Sequence, residues 1–326
     1  MALDPARAAV RNAVRRDLSA QDPDPVLVAC SGGADSLALL SATVFEGHKQ
    51  GARVIGAVVD HGLQDGSDAH TTRVVQQMAA LGVDETASIR VTVDPGPAGT
   101  EAGAREARYA ALAQLAEHFH ATLVLLGHTL DDQAETVLLG LARGSGGRSL
   151  QGMRTSFAEG TVVFSRPLLG VTRRETEAAC RADGIDWWSD PHNDDPRFLR
   201  PRVRHSVLPV LERELGPGVA ETLARTGQQL REDMDLVEAI AETAYTGARR
   251  DDGLDLAALR DAAPAILSRC VRRAVLDAGA IPSELSHAHV RAVLALTGTH
   301  GQKQVQLPGH LTAYADGDLL RFRPTA

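Results

Sequence analysis

The 326-residue chain carries 42 acidic against 34 basic side chains, a net charge of −8, which argues against a protein that coats nucleic acid over its whole surface but leaves room for a local arginine track. Its 44% hydrophobic content supports cores for two domains, and these must be built from Ala, Val and Leu because aromatics make up only 3%. Three widely spaced cysteines without a C-x-x-C indicate neither a disulfide framework nor a cysteine zinc or iron–sulfur site, and the lack of any 18-residue apolar run or signal-peptide core makes the expectation cytoplasmic, with no membrane partner.

Residues 6–18 place Ala8, Val10, Ala13, Val14 and Leu18 at helical spacing, an amphipathic helix ahead of the first strand. Val26–Cys30 is a continuous apolar run, which reads as a strand buried on both faces. The chain then turns through Ser31-Gly32-Gly33-Ala34-Asp35-Ser36 into a helix opened by Leu37, Leu39 and Leu40. A strand, a Gly pair with hydroxyls and an exposed helix N-terminus make an anion cradle, because unpaired N–H groups and the dipole face whatever sits there. Asp35 would repel a bare phosphate, so it points to a Mg²⁺ between carboxylate and phosphate oxygens. The loop is not a Walker loop, which needs a Lys before its Ser/Thr.

A second buried strand, Arg53–Val59, ends in Asp60-His61-Gly62-Leu63; a helix over 69–81 and a strand over 88–93 follow. Strands alternating with helices predict a parallel sheet whose ligands lie beyond the carboxyl ends of its strands. After a breaker loop at 94–100, Glu101–Phe119 is helical and sets Arg105, Arg108 and Tyr109 on one face, where an ordinary solvated face is the plain alternative.

The strand Thr122–Leu126 delivers Gly127, His128 and Thr129, with Thr129-x-x-Asp132 at capping-box spacing. Asp131, Asp132 and Glu135 crowd the start of the next helix with no Lys or Arg before Arg143. Acids suit a helix N-terminus, yet like charges at these spacings repel, so a metal or ammonium cation would relieve them. His128 stands beside them, placed for proton transfer or for an anionic intermediate.

Arg143-Gly-Ser-Gly-Gly-Arg148 reads as a flexible basic loop, too Gly-rich for a helix. Val162–Phe164 is a short strand. Thr172–Ala182 is a helix with acids and arginines on its outer face. Trp187-Trp188 and the Asp190–Asp195 loop precede four arginines at 197, 200, 202 and 204, either a solvated face or a surface for RNA or substrate. Gly216-Pro217-Gly218 marks a boundary between residues 1–215 and 216–326. Beyond it come a long helix, helices over 254–278 and 283–296, and short strands at 303–307, 311–314 and 319–322.

The Ser31–Ser36 loop resembles the SGGxDS pyrophosphate loop of the N-type ATP pyrophosphatases. VDHGL at 59–63 with Ser67, AREARY at 104–109, GHTLDDQAET at 127–136, RGSGG at 143–147, RPLL at 166–169 and the Asp190/Asn193 loop follow in order. Together they resemble the tRNA(Ile)-lysidine synthetases over about residues 25–212, with a weaker likeness over 256–275 and at the Leu307-Pro308-Gly309 turn. The resemblance implies an α/β fold: a Rossmann-like, parallel-sheet PP-loop catalytic domain, a helical linker and a smaller α-helical/α+β C-terminal domain that binds substrate.

It implies an ATP- and Mg²⁺-dependent ligase that adenylates C2 of the wobble cytidine of tRNA(Ile) with a CAU anticodon and attaches free L-lysine. By the same resemblance, ATP meets Ser31, Gly32, Gly33, Ala34, Asp35, Ser36 and His61, with the metal at Asp35; Ser36, Asp35, His128 and Asp132 are catalytic. Asp132, Glu135 and Arg204 take the lysine, and Arg105, Arg108, Arg143, Arg148, Arg200 and Arg202 the tRNA. A homodimer is the assembly entertained. Gln64 and Pro201 depart from the family pattern, which leaves open which of Arg200, Arg202 and Arg204 meets amino acid or RNA. The rival readings are a tRNA thiolase, an NAD or GMP synthetase on the same core, and a non-catalytic nucleotide-binding module. Thiolation usually needs paired cysteines, and a mere binding module has no use for Asp35 together with the acidic helix start.

Overall fold

The computed structural model of the chain describes residues 4–21, 23–60, 62, 67–92, 100–144, 146–189, 195, 197–296 and 304–325. Two units are distinguished, the first up to Gly144 and over Ser149–Gly227, the second over Ser145–Arg148 and Gln228–Ala326.

In the first unit helices alternate with short apolar strands: α1 (Pro5–Gln21), β1 (Val26–Ala29), α2 (Ala34–Gln50), β2 (Val54–Asp60), α3 (Ser67–Ala80), β3 (Glu85–Arg90), α4 (Thr100–Phe119), β4 (Leu123–Leu125) and α5 (Leu130–Arg143). The single turn α6 (Gly147–Leu150), β5 (Ser156–Glu159), β6 (Val162–Ser165), a 3-10 turn at Pro167–Gly170 and α7 (Arg173–Asp183) follow. The strand order is β3-β2-β1-β4-β6-β5. All neighbours are parallel except β5, which pairs antiparallel with β6 at the edge. Helical crossovers are what allow parallel neighbours, so the α/β expectation holds here.

The strand residues alternate between two cores. Val26 and Val28 face Val10, Val14, Leu37, Leu40 and Val74 on one side of the sheet. Leu27 faces Leu112, Ala116 and Phe164 on the other. Burial on both faces explains why β1 reads as an unbroken apolar run.

Several expectations shift. The strand expected at 88–93 is β3 at Glu85–Arg90, because β2 offers partners from Ile55↔Glu85 through Asp60↔Arg90. Gly147–Leu150 forms one helical turn within what reads as a glycine-rich loop. Beyond α7, α8 (Leu199–Arg202) runs through a π-helical segment, Val203–Val207, into α9 (Leu208–Leu215). The long helix α10 (Val219–Ala248) begins in the first unit and ends in the second.

The second unit holds an antiparallel sheet in the order β7 (Arg249–Arg250), β8 (Gly253–Asp255), β11 (Leu319–Pro324), β10 (Leu311–Asp316), β9 (Gln304–Leu307). Its helices α11 (Pro264–Asp277) and α12 (His287–Ala295) bury Cys270, Val271, Val275, Val290 and Val293 with Leu254, Ala313 and Leu320. The single helix expected over 254–278 is therefore wrong in its first third. Leu254 pairs with Leu320 in the sheet, and Pro264 opens the helix at its first turn, where a missing N–H costs nothing. Among the described residues no helix is long and apolar enough to cross a membrane.

One glycine sets the geometry of the sheet edge. Gly127 follows β4, and a Cβ there would lie 3.1 Å from both Ser36 Cα and Ser36 N. The β4 exit thus packs backbone against backbone on the first turn of α2. Gly127→Ala should lower stability by about 1–3 kcal/mol, read as a fall in urea midpoint. An unchanged midpoint would show that this approach is not tight.

Candidate active site

The parallel strands β1, β2 and β4 deliver the Ser31–Ser36 loop, Asp60 and His128 to one edge of the sheet, as the alternation requires. Gly33 caps α2 in an extended conformation, leaving the first-turn N–H groups of α2 without helical partners. The Ser36 hydroxyl closes the loop. It accepts from the Ser31 N–H at 3.1 Å and donates to the Gly33 carbonyl at 2.9 Å. Asp60 spends its carboxylate on its own turn and on β3, accepting from the Gly62 N–H at 2.9 Å and from Arg90 Nη2 at 2.7 Å.

Asp35 projects from the loop onto α7. Its Oδ1 accepts from the Thr176 hydroxyl, and its Oδ2 lies 3.4 Å from Arg173 Nε. Burial outweighs the attraction of Arg173 and the Thr176 hydrogen bond, so the Asp35 carboxyl is pushed up to about 6. A buried carboxylate this poorly compensated is receptive to a further cation.

Arg173 also donates to Asp132 Oδ1 at 3.0 Å and lies 3.8 Å from Glu135 Oε1. Asp131 Oδ2 accepts its backbone N–H at 2.7 Å. One guanidinium therefore joins the Ser31–Ser36 loop to the acidic start of α5. Glu135 is 0% exposed and receives Arg204 at 2.7 and 3.1 Å, with Arg200 Nη1 3.7 Å away. Arg204 also reaches Asp132 Oδ1 at 3.3 Å. Burial works against the charged form of Asp132, but Arg173, the Thr129 N–H and other neighbours win, and its carboxyl lies below the usual range. Asp132 Oδ2 accepts from the Thr129 N–H at 2.9 Å and from its hydroxyl at 3.1 Å, so the Thr129-x-x-Asp132 reading holds.

The cations that relieve the acidic turn are thus the protein's own. The helix expected to turn its arginines outward sends Arg173 inward, with 22% of its side chain exposed. Arg200 and Arg204, one helical turn apart, share the acid-facing side, whereas Arg202 is exposed. Arg173 was missed, although its position carries a signal: an arginine in the first turn of a helix opposes the dipole unless acids face it.

His128 is a further neighbour of Asp132. Burial, together with Arg108, Arg166 and Arg105, outweighs Asp132 and drives the ring down to about 3, so the imidazole is neutral near pH 7. Among the described residues its buried Nδ1 has no partner, nor have Arg108 Nε and Arg166 Nε. Tyr109 Oη receives Arg105 Nη2 at 3.2 Å and Arg166 Nη2 at 3.1 Å. This flank is cationic and underpaired, which suits an anion. Arg166 is a further site residue that sequence reading left without a role.

Arg143 and Arg148 have other surroundings. Arg143 is exposed at the far end of α5, roughly 18 Å along its axis from Asp131 at 1.5 Å per residue. Arg148 pairs with Glu238 at 3.5 Å in the second unit. His61 and the Asp190–Asp194 stretch lie outside the described residues. All three cysteines are free and buried.

A family profile for the PP-loop domain matches residues 7–211, and one for the TilS substrate binding domain matches 254–323. A tRNA(Ile)-lysidine synthase of Salinispora arenicola is 49% identical over 316 residues, covering 96% of this chain and 95% of the relative. The synthase of Thermobifida fusca is 49% identical, with 94% of each chain covered, and that of Streptomyces coelicolor 49%, covering 91% and 85%. Among solved structures, the U34-tRNA thiolase NcsA of Methanococcus maripaludis superposes with a TM-score of 0.58 at 20% identity, over 70% of this chain and 78% of that one, a likeness of fold.

The raised Asp35 carboxyl carries a stability consequence with a definite sign. A carboxyl held near 6 in the fold against about 4 when unfolded makes ionised Asp35 a cost above pH 6, one that fades as pH falls toward 4. Asp35→Asn should therefore unfold about 1–3 kcal/mol harder than wild type at pH 7.5, the gain closing toward pH 4. Denaturant titrations at the two pH values check this; a less stable variant at pH 7.5 would contradict it.

Proposed function

Since the chain belongs to the tRNA(Ile)-lysidine synthase family, we propose that it uses ATP to attach free L-lysine to the wobble cytidine of tRNA(Ile), releasing AMP and pyrophosphate. The observation that carries this reading is Arg173, which ties Asp35 of the nucleotide loop to Asp132 of the acidic pocket. Two half-reactions that share an intermediate need both seats within one site.

In the first, cytosine O2 attacks the α-phosphorus and pyrophosphate leaves. Ser31, Gly32, Gly33, Ala34 and Ser36 would hold the departing phosphates through backbone N–H groups and hydroxyls. Asp35 would hold Mg²⁺, which when bound supplies neutralisation of the phosphate charge. The cationic flank of Arg105, Arg108 and Arg166 suits the negative charge on the α-phosphate and on the RNA backbone. His128, neutral beforehand, offers a hydrogen bond there and gains proton affinity once an anion sits beside it.

In the second, the lysine side-chain amine attacks the activated C2 and AMP departs. The acids of the pocket are already paired, which constrains what can enter. A bare cation would strand an arginine. The head group of an amino acid brings both charges, so its ammonium can take Glu135 and Asp132 while its carboxylate takes Arg204, with no net change of charge. Exposed Arg143, Arg148 and Arg202 are assigned to tRNA phosphates.

The test is incorporation of labelled lysine into a tRNA(Ile) transcript with a CAU anticodon. Asp132 caps α5, so truncating it confounds folding with binding; Glu135→Gln is the cleaner probe. It should lower kcat/KM for lysine by about a hundredfold, as expected for a buried charge partner, and move the ATP KM by less than about threefold. Wild-type lysine kinetics in this variant would remove Glu135 from the pocket, and no incorporation by the unmutated protein would end the proposed activity.

A further inference from the structure

Two side chains at the nucleotide loop have no part in the chemistry above. His70, on α3, sets Nε2 3.0 Å from the Ser31 carbonyl oxygen. A carbonyl only accepts, so Nε2 carries the proton; among the described residues the buried Nδ1 has no partner. The His70 ring rests on Trp188, with centroids 4.1 Å apart and planes at 42°. The Trp188 backbone N–H in turn donates to the Gly32 carbonyl at 3.0 Å. Between them Gly32 takes φ +83°, and a Cβ there would come 2.6 Å from Val74 Cγ2 and 3.2 Å from His70 Cε1.

A trans peptide is planar, so fixing one carbonyl fixes the following N–H on the opposite side. The Ser31 and Gly32 carbonyls are both held from outside the loop, by His70 and by Trp188. Two successive peptide planes are thereby locked, and the Gly33 N–H is turned away from Trp188. An anion site of backbone donors gains from such locking, because nothing need be ordered on binding.

We propose that His70 and Trp188 are positioning residues that clamp Ser31–Gly33 in its phosphate-receiving conformation, and so set the affinity for ATP without touching lysine or RNA. The inference rests on reading Ser31–Ser36 as the ATP loop. Glutamine at 70 keeps an N–H able to reach the Ser31 carbonyl; alanine does not.

Steady-state kinetics of the full chain with ATP and lysine varied separately test it. His70→Ala should raise the ATP KM about tenfold, the worth of one hydrogen bond, with the lysine KM within about twofold of wild type, and His70→Gln should recover to within about threefold. An unchanged ATP KM in His70→Ala, a parallel rise in both KM values, or glutamine no better than alanine each overturns the clamp. Lysine incorporation that needs no ATP in the wild type would instead refute the loop reading. If His70→Ala does not fold, His70→Leu, which fills the space without an N–H, takes its place with the same expected rise of about tenfold, and an unchanged ATP KM there overturns the clamp.

Discussion

The guanidinium of Arg173 is the interaction on which this site depends. A carboxylate taken out of water is costly unless it is paired, and Asp35, Asp132 and Glu135 are all largely buried at one sheet edge. Arg173 lies within 4 Å of all three, and their charges outweigh its own burial to raise its proton affinity. Because Asp35 leaves β1 and Asp132 leaves β4, the ion bridge also fixes the distance between two strand ends. Gly127 complements it sterically by letting the β4 exit lie against α2.

Around that bridge the charges separate into two kinds of surface. Toward α5 and the π-helical segment, acids and arginines are matched one against another, and Arg204 enters from a stretch whose helix is locally widened. Toward α4, Arg105, Arg108, Arg166 and a neutral His128 stand with little acid to balance them. The first surface suits a zwitterion and the second an anion. The same sheet edge thus offers separate surroundings for a zwitterion and for an anion.

Much of this was legible in the chain. The apolar runs gave the parallel sheet because strands buried on both faces have no polar side to confuse their reading, and SGGADS with GHTLDDQAET named the two strand exits that matter. What escaped was pairing across long separations. Arg173 looks like a solvated charge until α7 brings it to Asp132, 41 residues away, and which arginine of 200–204 reaches the acids stays open until the π-helical segment carries Arg204 to Asp132, 72 residues away. The strand at Gly253–Asp255 was hidden for a similar reason: its partner, β11, lies at the far end of the chain. His70 and Trp188 carry no motif at all, and only the folded loop brings them together.

Through Arg173 the Ser31–Ser36 loop and the acidic start of α5 form a single energetic unit. A double-mutant cycle of Asp35→Asn and Asp132→Asn, read by urea unfolding with Arg173 present and again with Arg173→Met, tests it most directly. The account predicts a coupling of about 1 kcal/mol or more with Arg173 that disappears with methionine. Effects that simply add in both backgrounds would contradict it, leaving two neighbouring sites rather than one.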